Sequence, residues 1–226
     1  MENIEKCEEL HICCDCENYK DCYIEKVIKY GMSADICKDF KPKSRFVDIF
    51  NTNKKYKIIY ADPPWTYEKT GGLKNSRGMA KQFYKTMSID DIKSLPIKNL
   101  ADNDCVLFLW CTYPQLQNGL EVIKSWGFEY FGLGFEWIKK TKNGKDFFGM
   151  GYWTRANPEC CLLAIKGKPK PKSHAVRQIV YSEIQEHSKK PDIVREKIIE
   201  LCGDLPKIEL FARQQINNWD CWGDEV

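Results

Sequence analysis

Lys57-Ile58-Ile59-Tyr60-Ala61-Asp62-Pro63-Pro64-Trp65 constrains this chain more than any other stretch. Its short apolar run, bounded by charge on one side and proline on the other, predicts a buried strand. Two prolines cannot continue a sheet ladder, and their fixed φ sends the backbone out of the strand in one stiff, extended direction. A stiff turn at the carboxyl end of a parallel strand is where open α/β sheets hold ligands. Asp62 offers an acceptor for an amine, the Pro63 carbonyl a second acceptor, and Trp65 a flat face. Together they suit a planar heterocycle with an exocyclic NH2. The same spacing also serves a purely structural Asp-Pro-Pro turn, and spacing alone does not choose between the two.

The rest of the chain continues the pattern. In order come Tyr84-Lys85-Thr86-Met87-Ser88, Phe108-Leu109-Trp110, Ser125-Trp126-Gly127-Phe128 and Glu136-Trp137-Ile138-Lys139. Gly151-Tyr152-Trp153-Thr154-Arg155 follows, then Glu159 with Leu162-Leu163-Ala164, Ser188-Lys189-Lys190-Pro191-Asp192, and Lys207-Ile208-Glu209-Leu210-Phe211-Ala212-Arg213. With Asp-Pro-Pro-Trp these segments resemble, over residues 56–226, the adenine-N6 methyltransferases related to the catalytic subunit of the eukaryotic messenger-RNA adenosine methyltransferase, the seventy-kilodalton adenosine methyltransferase family. Small size favours the compact bacterial and phage type among them.

Strands alternating with helical segments at crossover length predict an α/β domain with a Rossmann-like, mostly parallel sheet. The expected strands are 57–61, Val106 to Trp110, Glu129 to Lys139, Cys160 to Ile165 and Ile208 to Phe211. Ser88, with Asp91 three residues on, predicts a capped helix start. Pro114 to Trp126 reads as a helix with Leu116, Leu120, Val122 and Ile123 toward the core and Gly127 at its end. Pro191 opens the last helix, which Gly203 stops. No Gly-x-Gly-x-x-Gly is present, so the dinucleotide fingerprint is missing. The family's permuted motif order, catalytic strand before cofactor strand, is matched here by Asp62 early and Glu209 late.

Residues 1–43 read as a separate module ahead of a domain spanning 44–226. They hold six of the twelve cysteines. Cys13, Cys16, Cys22 and Cys37 are candidate ligands of a structural zinc, which needs four thiolates; a metal would stabilise a piece too short to bury a core of its own. A cysteine-rich tail without metal is the alternative. The other six cysteines sit in apolar segments and read as core filling.

Charge is also divided. The chain carries +3, but residues 1–43 hold a net −3 and the remainder +6, a balance that fits a polyanionic partner. Lys166-Gly167-Lys168-Pro169-Lys170-Pro171-Lys172 is a basic connection suited either to solvent or to phosphate. Two polar, glycine-bearing stretches, 66–83 and 140–157, read as functional loops, the first a lid over the substrate. No apolar run approaches membrane-span length, and the start is acidic and cysteine-rich, so the expected location is the cytoplasm.

The resemblance implies a chemistry. S-adenosylmethionine would be the methyl donor and adenine in nucleic acid, DNA before RNA, the acceptor. Asp62 and the Pro63 carbonyl would each take one proton of the amine, with Pro64 and Trp65 completing the catalytic turn. Trp65 and Tyr84 would sandwich the base, and Trp153, Asn157 and Glu159 fall with Tyr84 on the substrate side. Lys190 matches the lysine that pairs with the methionine carboxylate, and Glu209 the acid at the ribose hydroxyls. Phe211 and Arg213 match pocket-lining positions. Asp224 stands where many relatives have Asn, and Glu225 where some have Gln; Gln215 and Ile216 replace the His-Asn of the eukaryotic enzyme. A buried base must be flipped out or already unpaired. An RNA adenosine methyltransferase, and a non-catalytic nucleic-acid-binding subunit supporting an active partner, are the alternative readings. The intact Asp-Pro-Pro-Trp, Lys190 and Glu209 favour an active enzyme.

Overall fold

The computed structural model describes residues 45–66, 86–151, 153–185, 189–224 and 226. The four cysteines of the expected zinc site, Tyr84, Glu225 and most of the expected lid fall outside the described residues. Seven strands form one sheet: β1 (Tyr56–Ala61), β2 (Ala101–Cys111), β3 (Glu129–Lys140), β4 (Pro158–Lys166), β5 (Ile179–Glu183), β6 (Lys207–Leu210) and β7 (Asp220–Trp222). Their order is β5-β3-β4-β2-β1-β6-β7. Pairs β1/β2, β1/β6, β6/β7 and β3/β5 are parallel, and only β4 runs against its neighbours β2 and β3. The mostly parallel, Rossmann-like architecture is therefore as the alternation predicts.

β1 is buried at every position except Lys57. Such a continuous apolar run marks a strand covered on both faces. Strand alternation divides it between two cores. Ile59 and Ala61 join Leu107, Leu109 and Leu210 under three helices, α1 (Ile89–Ser94), α2 (Ile97–Leu100) and α3 (Leu116–Ser125), through Ile92, Ile97, Val122 and Ile123. Ile58 and Tyr60 join Phe108, Trp110, Phe135 and Trp137 under α4 (Ile193–Cys202), through Val194 and Ile198. Ser88 caps α1, its side chain accepting from the Asp91 amide as the capping pattern predicts. Gly203, at φ 88°, ends α4 with its N–H on the Ile199 carbonyl.

The structure corrects several details. Leu120 is 37% exposed; α3 packs instead through Gly119, Val122 and Ile123, whose spacing holds one face while Leu120 lies beside it. α4 starts at Ile193, with Pro191 in the turn ahead of it. β5 and β7 add strands that the apolar runs did not announce. The six described cysteines are all buried and free, as core filling predicts. No described helix is long and apolar enough to cross a membrane.

Because only β4 is reversed, strand register assigns every loop to one of two edges. Asp62, the segment after β3, the start of β4, the segment after β5, Phe211 and Gly223 all lie at the carboxyl edge. Lys166 to Lys172 lies at the other. Lys166 pairs with Cys105 near the start of β2, and the Lys168 amide donates to Asp104. Six residues of β2 separate that register from Cys111, roughly 20 Å at strand rise. The basic connection is thus set apart from Asp62, on the edge where solvent or a more distant phosphate would meet it.

Candidate active site at the carboxyl edge of the sheet

β1 has β2 on one side and β6 on the other, and the chain leaves this central pair toward opposite flanks of the sheet. That is a topological switch point, where a crevice opens above the strand ends. Asp62 follows β1, and Glu209 is paired in register with Tyr60.

The Asp-Pro-Pro-Trp turn is clamped at several points. The Trp65 amide donates to the Pro63 carbonyl at 2.9 Å, and the Met87 amide to the Pro64 carbonyl at 3.0 Å. Thr66 Oγ1 donates to the Met87 carbonyl at 2.6 Å, and Gln115 Nε2 to the Thr66 carbonyl at 3.0 Å. Trp65 itself is only 4% exposed; its Nε1 donates to the Trp110 carbonyl at 3.1 Å. The expectation of Trp65 as a stacking face is therefore corrected. Its ring faces the core and anchors the turn that aims Asp62 and Pro63.

Asp62 is held by a row of alternating charges. Lys190, from the segment between β5 and α4, donates to Asp62 Oδ2 at 2.8 Å and lies 3.5 Å from Glu159 Oε2. Glu159 Oε1 in turn pairs with Lys139 of β3. Two cations and two carboxylates balance, so the row is neutral although its members are largely enclosed. The Lys190 ammonium also lies 5.6 Å from the centre of the Trp110 ring, within cation–π range. Burial works against the charge on Lys190, but the Asp62 and Glu159 carboxylates outweigh it and hold its pKa above the ordinary value. Burial raises the Asp62 carboxyl above its usual range, with Lys190 opposing. Burial would raise Glu159 too, but Lys190 and Lys139 keep it below its ordinary value.

Glu209 is 8% exposed and joined to Arg195 of α4 by two hydrogen bonds of 2.7 and 2.6 Å. Arg195 also holds Asp192 at 2.7 Å and packs over the Tyr60 ring at 5.7 Å. Lys207, two residues before Glu209 on the same strand, pairs with Asp204 instead. Beyond β6, Phe211 adopts φ 60° and packs edge-on against Trp222 at 5.4 Å. The Ala212 amide donates to the Trp222 carbonyl, and a Cβ on Gly223 would come within 2.2 Å of the Ala212 carbonyl oxygen. This close crossing of two strand ends requires glycine there. Arg213 lies near enough to lower the Asp62 pKa.

The structure thus gathers Asp62, Pro63, Glu159, Lys190, Glu209, Phe211 and Arg213 at one edge. Asn157, whose carbonyl accepts from the Lys139 amide at 3.2 Å, sits beside them. Trp153 is 93% exposed on the segment between β3 and β4, and Asp224 is exposed after β7. Lys139 and Arg195 were missed in the sequence. Lys139 is two residues after the buried Trp137 on one strand, so alternation alone places it on an inward face. Arg195 has no comparable sign beyond its spacing from Asp192. Among the described residues, no group of three or more His, Cys, Asp or Glu side chains is placed to hold a metal.

Comparison with known proteins adds independent findings. The MT-A70 family model matches residues 56–225. The Type II methyltransferase M.MunI of Mycoplasma sp is 35% identical over 189 residues, covering 76% of this chain and 78% of that protein. The human N(6)-adenosine-methyltransferase catalytic subunit METTL3 is 28% identical over 191 residues, covering 80% of this chain but 30% of its own length. An MT-A70-like relative in Medicago truncatula is 28% identical over 180 residues, 26% of its length.

Proposed function

The chain belongs to the MT-A70 family, and from that premise we propose that it transfers a methyl group from S-adenosylmethionine to N6 of adenine in DNA. The observation that carries the reading is the Asp62–Lys190 pair, set above the switch point at the start of a turn too stiff to wander. Similarity to a Type II methyltransferase and resemblance to the compact bacterial and phage members support DNA as the polymer.

The residues present suit the donor. Lys190 is a largely enclosed cation fit for a carboxylate, Phe211 and Trp222 form an apolar wall, and Glu209 is a strand-end acid fit for ribose hydroxyls. S-adenosylmethionine supplies a methyl group on a sulfonium that is already a good leaving group. The protein's task is orientation. The adenine amine is a poor nucleophile because its lone pair is delocalised into the ring. Asp62 accepts a hydrogen bond from one amine N–H and the Pro63 carbonyl from the other, drawing nitrogen toward tetrahedral geometry and turning its lone pair out of the ring. The methylated nitrogen then sheds one of these protons to solvent and keeps the other. Lys190 engages one Asp62 oxygen, and the Trp65 amide one lone pair of the Pro63 carbonyl, so each acceptor keeps capacity for the substrate. Tyr84, Asn157 and Glu159 are proposed on the base side, Arg213, Asp224 and Glu225 on the cofactor side.

Labelled methyl transfer to adenine-containing DNA and RNA, single- and double-stranded, tests this reading. N6-methyladenine recovered from DNA is the expected product. Recovery from RNA alone replaces the polymer, and no label with no cofactor binding by calorimetry rejects the enzyme reading. Residues 1–43 are proposed as a module held by zinc on Cys13, Cys16, Cys22 and Cys37. One zinc per chain is expected by metal analysis of freshly reduced protein, and none would remove the site.

A further inference from the structure

The segment between β3 and β4 leaves and returns at the same edge as Asp62, and its described residues, 141–151 and 153–157, are built as a stiff projection. The first half is pinned: Lys140 pairs with Asp146 at 2.6 Å, the Thr141 amide donates to the Lys145 carbonyl at 2.8 Å, and the Phe147 amide donates to the Lys139 carbonyl at 3.0 Å. The second half folds back on itself at two glycines. A Cβ on Gly149 would lie 1.7 Å from the Ala156 carbonyl oxygen, and one on Gly151 1.9 Å from that of Thr154. No side chain fits at either point. The doubled backbone therefore holds its neighbours outward: Phe148 is 74% exposed, Met150 72% and Trp153 93%. Arg155 stacks over Phe148 at 5.1 Å, with Nη1 donating to the Gly151 carbonyl at 3.4 Å.

Large apolar side chains held in water on a pinned loop mark a contact surface. Its charge selects the partner. Lys142, Lys145 and Arg155 are exposed on the loop, while its one acid, Asp146, is already neutralised by Lys140. Aromatic rings interleaved with cations are the surface that grips a nucleic-acid strand, rings stacking on bases and cations on phosphates. Its reach also fits. Glu159, six residues beyond Trp153, belongs to the row that ends at Asp62. Six residues span at most about 20 Å.

We propose that this loop is a stacking wedge for DNA: Trp153 packs against a base beside the target adenine, and Arg155 meets the adjoining phosphate. The wedge steadies the strand while the adenine leaves its stack, a cost that base-modifying enzymes must meet. The inference rests on the methyltransferase reading and assigns the DNA contact of that same site.

The test is binding of a fluorescein-labelled, adenine-containing DNA 20-mer, single- and double-stranded, to wild type, Trp153→Ala, Trp153→Phe and Arg155→Gln. Methyl transfer, calorimetry with S-adenosylmethionine and sedimentation run in parallel. Trp153→Ala is expected to weaken DNA binding by about 10- to 100-fold, the contribution of one stacked base, with Trp153→Phe recovering most of it. Arg155→Gln is expected to lower the salt slope of binding by about one. Cofactor affinity and sedimentation should match wild type. DNA binding by Trp153→Ala within twofold of wild type overturns the wedge. So does a change in sedimentation of the protein alone, which reassigns the loop to contact between copies. Trp153-dependent binding by a wild type that transfers no methyl supports the wedge and removes the catalytic reading instead.

Discussion

Asp62→Asn is expected to lower methyl transfer by about 10^3-fold or more, a loss of over about 4 kcal/mol of transition-state stabilisation. Asparagine keeps the shape of the side chain but replaces a charged acceptor with a neutral amide, half of which is a donor. The amine then loses the contact that draws its proton out of the ring plane, and the stiff Pro63-Pro64 turn gives no freedom to rebuild it. Cofactor binding should persist, because Lys190 keeps Glu159 as a partner 3.5 Å away and loses a competitor for the incoming carboxylate. Single-turnover label transfer beside calorimetry separates the two effects. The wild-type pH profile gives a second readout. The carboxyl must be ionised to accept, and burial raises its pKa above 3.8, so transfer falls as pH drops through a value above that figure. Lys190, held above 10.5 by its two carboxylates against the cost of burial, stays charged across the neutral range and adds no alkaline limb there. Transfer retained by Asp62→Asn, or an acid limb unchanged in it, would reject Asp62 as the acceptor.

How much of this was legible in the sequence depends on how local each cause is. β1 and its turn announce themselves because a continuous apolar run ended by two prolines admits few other structures. Ser88 and Gly203 are legible for the same reason: a cap and a positive-φ stop act within one turn of chain. Trp65 was misjudged because the sequence does not say which side of the turn faces the core, and the Trp110 carbonyl that receives its indole lies forty-five residues away. Which edge carries the basic connection was not legible, because it depends on the direction of β4. The single reversed strand puts Lys168 and its neighbours on the edge opposite Asp62. β5 and β7 are short, and each has one buried side between exposed or half-exposed ones, too little periodicity to separate from loop. Arg195 was invisible for a related reason. It is a charge whose buried partner, Glu209, comes from another element, so the sequence offers an ordinary charged residue where the fold holds an ion pair.

That last class of residue carries the other large effect. Arg195→Met is expected to destabilise the domain by about 3–5 kcal/mol, because it leaves the Glu209 carboxylate enclosed without its two guanidinium hydrogen bonds. For a domain of this size that lowers Tm on the order of 10 °C. The loss should depend on pH with a definite sign. Burial already raises the Glu209 carboxyl above 4.5, with Arg195 opposing, and removing Arg195 lets burial raise it further. The folded variant then binds a proton that the unfolded chain has released, so its stability falls as pH rises above 4.5 and is closest to wild type in acid. The double variant Arg195→Met/Glu209→Leu removes both charges and should regain most of the Tm, since a well-packed apolar pair replaces a buried ion pair at little cost. It should not regain cofactor affinity if Glu209 receives the ribose hydroxyls, because leucine offers no acceptor. Thermal denaturation at pH 5 and pH 8, beside calorimetry with S-adenosylmethionine, reads both arms. A single variant melting within about 2 °C of wild type at pH 8 would mean that water reaches Glu209 and that the Arg195 clamp is not what holds it. A double variant with wild-type cofactor affinity would strip Glu209 of its assigned role and leave Lys190 as the chief anchor of the donor.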